Sequence, residues 1–116
     1  MKKINIIKDS KEFDRIIKTN KSYKYKDYII YIEKGTNEIY KFGLSVGKKI
    51  GNAVRRNKVK RQLKSIISEK DYQNDFNCII IVGKGINERS YKEMKENLFY
   101  AFKDLNIIKE SKHEKK

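Results

Sequence analysis

The run Cys78-Ile79-Ile80-Ile81-Val82 limits what this chain can fold into more than any other segment. Apolar residues without alternation, within Asn77–Gly83, suit a short strand buried on both faces, because a strand with one wet face would alternate with polar residues. Cys78 is the single cysteine, and inside such a run it reads as a buried core thiol. One cysteine leaves no disulfide within the chain, in agreement with a reducing compartment. Further apolar clusters at Tyr28–Ile32, Phe42–Val46 and Leu98–Leu105 favour a folded protein, although 38% of the residues are charged. A chain of 116 residues suits one domain around one core, spanning 1–116, with the polar residues 109–116 as a fraying tail.

The other elements follow from spacing. Asp9 or Ser10 offers an N-cap for a helix in which Phe13, Ile16 and Ile17 form an apolar stripe, and Asn20 ends it. Tyr28–Glu33 and Ile39–Val46 are rich in aromatic and β-branched residues, and Lys34-Gly35-Thr36-Asn37-Glu38 between them suits an antiparallel hairpin. In the second of these strands Tyr40, Phe42, Leu44 and Val46 form an apolar face, and Gly43 and Ser45 lie on a small, polar one. A helix from about Asn52 to Ser68 puts Val59, Leu63 and Ile66 on one face, with Ile67 at its edge. Ser90-Tyr91-Lys92-Glu93 matches a capping box, and Tyr91, Met94, Leu98, Phe102 and Leu105 continue a helical stripe. The expected order is helix, strand, strand, helix, strand, helix, without internal repeat or linker.

Charge points to a partner. Between Ile39 and Ser68 there are nine basic residues and no acidic one, and the whole chain carries a net charge of +14. Like charge on that scale opposes compaction and favours a polyanion, either nucleic acid or an anionic membrane. Lysine number alone is weak support, since 24 Lys and 18 Ile with no Pro can reflect codon bias. Arginine is more telling: of five in the chain, Arg55, Arg56 and Arg61 fall within seven positions, and a planar guanidinium binds phosphate bidentately. In the helix from Asn52, Arg56, Lys60 and Lys64 form an i, i+4, i+8 row with Asn57 and Arg61 beside it, while Arg55, Lys58 and Gln62 lie on another side. A merely solvated face would intersperse acids. The membrane reading is disfavoured because the helix lacks the wide exposed aromatic face of membrane-surface helices. No segment approaches the ~20 apolar residues of a membrane span and the apolar stretch at the amino terminus is too short for a signal peptide, so the chain reads as cytoplasmic.

Chemistry is harder to find. Gly43-Leu44-Ser45-Val46-Gly47-Lys48-Lys49 precedes a helix but fails the Walker pattern, since Lys49 stands where Ser or Thr should hold magnesium. Gly47 and Gly51 still allow backbone amides near a phosphate at the helix start. The only histidine, His113, lies in the tail, and the acids form no recognisable ligand motif, so neither a catalytic centre nor a metal site is expected in the protein. Phe13, Tyr28 and Tyr31 are candidates for stacking unpaired bases, with core packing as the other reading. Alternation puts Tyr28 and Tyr31 on opposite faces, so one of them at most serves a given groove.

Gly43-Leu44-Ser45-Val46-Gly47-Lys48-Lys49-Ile50-Gly51-Asn52-Ala53-Val54-Arg55-Arg56-Asn57-Lys58-Val59-Lys60-Arg61 resembles the signature of the protein subunit of bacterial ribonuclease P: a Lys-Lys loop followed by Arg-Asn-Arg-x-x-Lys-Arg. Phe13, the Tyr28–Tyr31 strand, the Cys78–Val82 strand and the last helix occur in the family's order, so the resemblance covers essentially the whole chain. Lys58 departs from it, standing where the motif has its second arginine, which keeps charge without the bidentate fork. The resemblance implies an α+β fold, an α/β sandwich like that of a ribosomal-protein domain, in the order α-β-β-α-β-α. Its strand ending at Val46, helix from Asn52 and strand from Asn77 would form a left-handed βαβ crossover, against the general right-handed rule.

The resemblance also implies a role. In that family a catalytic RNA, with Mg2+ bound mainly by the RNA and substrate, removes the 5′ leader of precursor tRNA, and the protein is an accessory subunit without catalytic residues or a small-molecule cofactor. Docking on the catalytic RNA maps to Arg56, Asn57, Lys60, Arg61 and Lys64, and the full RNA-binding set expected here adds Lys48, Lys49, Asn52, Arg55 and Lys58. The leader cleft, between the first helix and the sheet, maps to Phe13 and Tyr31, with Ile17 in place of a second family aromatic. The alternatives are a ribosomal or translation-associated RNA-binding module and a nuclease active without RNA.

Overall fold

Helix α1 (Ser10–Thr19) starts where the Asp9 side chain accepts a hydrogen bond from the Lys11 N–H at 2.9 Å, and ends at Asn20. The chain then forms β1 (Ser22–Tyr25), turns through Lys26 and Asp27 with Lys26 in a left-handed conformation, and returns as β2 (Tyr28–Lys34). Strand β3 (Lys41–Ser45), a 3₁₀ turn at Lys48–Ile50, α2 (Ala53–Ile67), β4 (Phe76–Val82), a 3₁₀ segment at Lys84–Glu88 and α3 (Tyr91–Asp104) follow. This computed structural model describes residues 2–36 and 38–109, so the expected fraying tail beyond Lys109, with His113, lies outside the described residues. The elements expected from the sequence occur in the expected order; β1 is an additional short strand that the sequence reading did not assign.

The four strands form one sheet in the order β1-β2-β4-β3. Strands β1, β2 and β4 pair antiparallel, and β3 pairs parallel with β4 through the α2 crossover. The expected hairpin between β2 and β3 is therefore not formed. The apolar β4 lies between them, where it is covered on both faces, and β2 makes its hairpin with β1 instead. Asn77–Gly83 was correctly read as an interior strand: six of the seven β4 residues are buried.

One face of the sheet packs on α2 and α3. Val59, Leu63, Ile66 and Ile67 from α2 meet Met94, Leu98, Ala101 and Phe102 from α3 over Tyr28, Ile30, Phe42, Cys78 and Ile80. Each fully buried large aliphatic side chain contributes about 1.5–3 kcal/mol. The two fully enclosed tyrosines keep their hydroxyls satisfied: Tyr28 donates to the Met94 carbonyl at 3.1 Å and Tyr72 to that of Ile67 at 2.7 Å. Burial pushes both phenols, and the Cys78 thiol, above their ordinary pKa values. Tyr28 is thus core, and the stacking role considered for it is excluded.

The opposite face carries α1 over a smaller cluster of Ile7, Ile16 and Ile79, with Phe13, Ile17, Tyr31 and Ile81 packed against it. The cross-strand row Tyr31, Ile79, Gly43 runs beneath α1. Gly43 is what lets the helix come so close: a Cβ there would lie 2.6 Å from Phe13 Cε2 and 2.9 Å from Ile79 Cδ1.

Candidate nucleic-acid interface

Helix α2 buries four apolar residues and turns its basic residues outward. Its cap, Asn52, is neutral and accepts from the Arg55 N–H at 3.0 Å, and no acid stands in the first turn. The partial positive charge of the helix N-terminus is therefore unmatched, and it adds to the potential of the exposed Lys48 and Lys49 in the turn ahead. Asn57, Lys58, Arg61 and Lys64 are exposed; Arg56 and Lys60 are half-buried. Arg56 Nε is buried with no acceptor among the described residues. The ion pairs among the described residues join Arg15 to Glu33, Lys41 to Glu38, Arg89 to Asp27 and Lys95 to Glu69, all outside α2.

The stripe extends beyond its helix. Lys60 and Lys64 line a groove of about 220 Å³ together with Lys8, Phe42 and Leu44. Lys8 belongs to the N-terminal segment that crosses the outer edge of β3, where the Ile7 N–H donates to the Phe42 carbonyl at 2.9 Å. Ile7 itself joins the cluster beneath α1. The basic helix and the α1 face are thus linked around one edge of the sheet.

Arg55 has a different position from its neighbours. Its Nε donates to Asn87 Oδ1 at 2.7 Å, and Asn87 Nδ2 donates to the Ile50 carbonyl at 2.9 Å. The pair fastens the Lys48–Ile50 turn to the Lys84–Glu88 segment. Sequence reasoning had no means of finding Asn87, because its partners are more than thirty positions away and no local motif marks it.

On the α1 face the structure brings Phe13, Ile17 and Tyr31 together, all half-buried. Beside them Arg15 grips Glu33 with both terminal nitrogens, Nη1 to Oε2 and Nη2 to Oε1, the second at 3.1 Å. Asn77, only 5% exposed, donates its Nδ2 to Glu33 Oε1 at 2.9 Å, and its Oδ1 has no partner among the described residues. The hydrogen bond from Arg15 holds the Glu33 carboxyl below the usual carboxylate pKa, with Asn77 adding to it against the effect of burial. This clamp of α1 onto β2 and β4 is not legible in the sequence, as Arg15 lies outside the basic run and no local motif marks Glu33 as its partner.

Among the described residues no three Asp, Glu, His or Cys side chains converge as a metal site. None of the helices is long and apolar enough to cross a membrane, among the described residues.

A four-stranded mixed sheet, one helix on one face, two on the other and an acid-free helix at the surface define a small basic α/β sandwich. The sequence model of the Ribonuclease P family matches residues 1–106, and the chain belongs to that family. A Ribonuclease P protein component from Streptococcus equi subsp. equi (strain 4047) is 36% identical over 111 residues, which cover 95% of this chain and 93% of that protein. Among solved structures, the RNase P protein of Staphylococcus aureus matches with a TM-score of 0.81 at 24% identity, covering 90% of this chain and 98% of that one. The RNase P protein from Thermotoga maritima matches with a TM-score of 0.75 at 23% identity, covering 84% and 94%.

Proposed function

We propose that this chain acts, as a single RNA-binding domain, as the protein component of a ribonuclease P ribonucleoprotein that matures the 5′ ends of tRNA. The observation that carries the reading is α2, whose cations form no ion pair among the described residues and continue from Lys48 and Lys49. Arg56, Asn57, Lys60, Arg61 and Lys64 contact phosphates of the catalytic RNA, with Lys48, Lys49 and Lys58 at the margins. Asn52 contributes by capping the helix, and Arg55 by fixing the turn before it. The groove between α1 and the sheet, walled by Phe13, Ile17 and Tyr31, takes the 5′ leader of precursor tRNA. Bond cleavage belongs to the RNA partner, with magnesium held by RNA and substrate phosphates, and the protein's part is to neutralise and orient.

Adding the protein to a cognate ribonuclease P RNA at low magnesium tests this. Stimulated leader removal is expected; its absence points to a ribosomal or translation-associated RNA-binding module. Cleavage of precursor tRNA by the protein after every trace of RNA is removed would instead establish a protein nuclease. For the groove, Tyr31→Ala should weaken binding of precursor tRNA by about 1–3 kcal/mol and leave mature tRNA unaffected. Equal losses for both substrates would count against a leader groove.

A further inference from the structure

The sheet has two edges, and they are treated differently. The N-terminal segment covers β3, with Ile6 bridging to Phe42. Strand β1 is the other edge, and among the described residues its outer side has no strand partner. The sequence around it reads Lys18-Thr19-Asn20-Lys21-Ser22-Tyr23-Lys24-Tyr25-Lys26, with four lysines and no acid. Along this open strand Tyr23 and Tyr25 point to the α3 face of the sheet and Ser22 and Lys24 to the other, with Lys26 in the turn that follows.

The tyrosines meet α3. Tyr23 and Tyr25 pack against the main core from the side, and Tyr25 stacks on Tyr100 with ring centroids 4.5 Å apart and planes 24° from parallel. The Lys26 ammonium lies 5.7 Å from the Tyr25 centroid. Tyr100 is 57% exposed, an unusual amount of aromatic surface for a position that serves no core. Of the acids one turn away on α3, Asp104 adds to the effect of burial in raising the Tyr23 phenol pKa to about 12, and Glu96 is exposed on the same helix face as Tyr100.

Two partners suit an open edge: another strand or an extended single-stranded polyanion. Edge lysines oppose strand addition, and a second copy of this chain would bring another +14 of net charge against the first. A single nucleic-acid strand needs what is present, an aromatic face for a base and cations along its backbone. We propose that the β1–α3 edge, with the stacked Tyr25 and Tyr100 and the Lys26 cation beside them, is a platform for unpaired nucleotides of RNA. It lies on the edge opposite β3 and is separate from the α2 stripe and from the α1 groove.

Tyr100→Trp gives the chain its only tryptophan and so a local reporter at an exposed position. The full-length protein is titrated with a single-stranded oligoadenylate of roughly ten nucleotides, within the site sizes of such platforms, and in parallel with polyphosphate and with duplex RNA. Saturable quenching by the oligoadenylate alone is expected. In that background, Lys26→Ala should lower the slope of log affinity against log salt by about 0.7, the value for one phosphate on a single strand, while Lys24→Ala on the opposite face leaves it unchanged. Substituting Arg56, Lys60 and Arg61 by Ala should leave the quenching in place. Equal quenching by polyphosphate, or quenching lost with the α2 substitutions and indifferent to Lys26, would overturn the proposal. So would a concentration-dependent dimer in sedimentation that shifts the tryptophan emission without RNA.

Discussion

Helices α2 and α3 lie on the same face of the sheet, have 15 and 14 residues and bury four side chains each, yet their outer surfaces are built on opposite terms. Helix α3 settles its charges within the protein. Its capping box is complete, with Ser90 and Glu93 exchanging hydrogen bonds at 3.1 and 2.9 Å, and the Ser90 backbone N–H holds the Glu93 carboxyl below its ordinary pKa. Lys95 reaches Glu69 at 2.8 Å and the Tyr91 hydroxyl donates to Ser65 at 3.1 Å, tying the helix to α2 and its end. Helix α2 carries no acid at all, and its like-charged rows cost the isolated helix a few tenths of a kcal/mol per pair. The buried faces specify the fold; the outer faces differ in whether acids accompany the cations, which is the contrast the proposed RNA contact on α2 rests on.

The largest test of that contrast is salt. With ~6 phosphates contacted, affinity for the catalytic RNA should fall about 10³-fold between about 50 and 200 mM salt, and a nearly flat dependence would defeat the assignment. Arg56→Ala, Lys60→Ala and Arg61→Ala together should reduce the slope by about 3, whereas Lys92→Ala on α3 should leave it unchanged. Next comes equivalence of the buried faces. Leu63→Ala and Leu98→Ala, both at fully buried positions, should each lose about 2–5 kcal/mol in urea unfolding. A clearly smaller loss on α2 would mean that its packing, too, had been given up for binding.

A smaller effect tests the outer face of α2 directly. Ala53→Glu puts an acid in its first turn and should stabilise the free protein by about 0.3–1 kcal/mol, while weakening RNA binding severalfold. If stability and affinity rise together, the missing acids have another cause. The smallest effect concerns α1, which has the charge compensation that α2 lacks. Glu33 has a folded pKa below its unfolded value, so its ion pair stabilises fully above the ordinary carboxylate pKa of about 4.3. That contribution is lost as pH falls through the lowered folded value. The urea midpoints of the wild type and Glu33→Gln should therefore differ at pH 7 and converge towards pH 3.

Local signals made most of the elements legible. Asn52 and the Ser90-Tyr91-Lys92-Glu93 box mark helix starts because a cap is chemistry between residues three apart, and Cys78–Val82 declares its burial by composition alone. Strand β1 was missed since its turn, Lys26-Asp27, has neither Gly nor Asn, although Lys26 adopts the left-handed conformation those residues favour. The Gly35 loop looked like the hairpin instead, and only the position of β4, fixed by tertiary packing, decides otherwise. At the site, the α2 rows were readable from helical period. The meeting of Phe13, Ile17 and Tyr31 followed from the family resemblance. Arg55–Asn87 and Arg15–Glu33–Asn77 were not readable, as each joins residues brought together only when helices dock on the sheet.

Gly43 gives the proposed groove beside α1 a dimension that can be adjusted. Because the Phe13 ring rests where a methyl group would otherwise stand, the depth at which α1 sits is set by one absent carbon. A larger residue would act as a shim, raising the ring end of the helix while the Arg15–Glu33 clamp still held it further along. The groove would then open as a wedge, and the calibre available to a threaded strand would change without the loss of any residue that touches it.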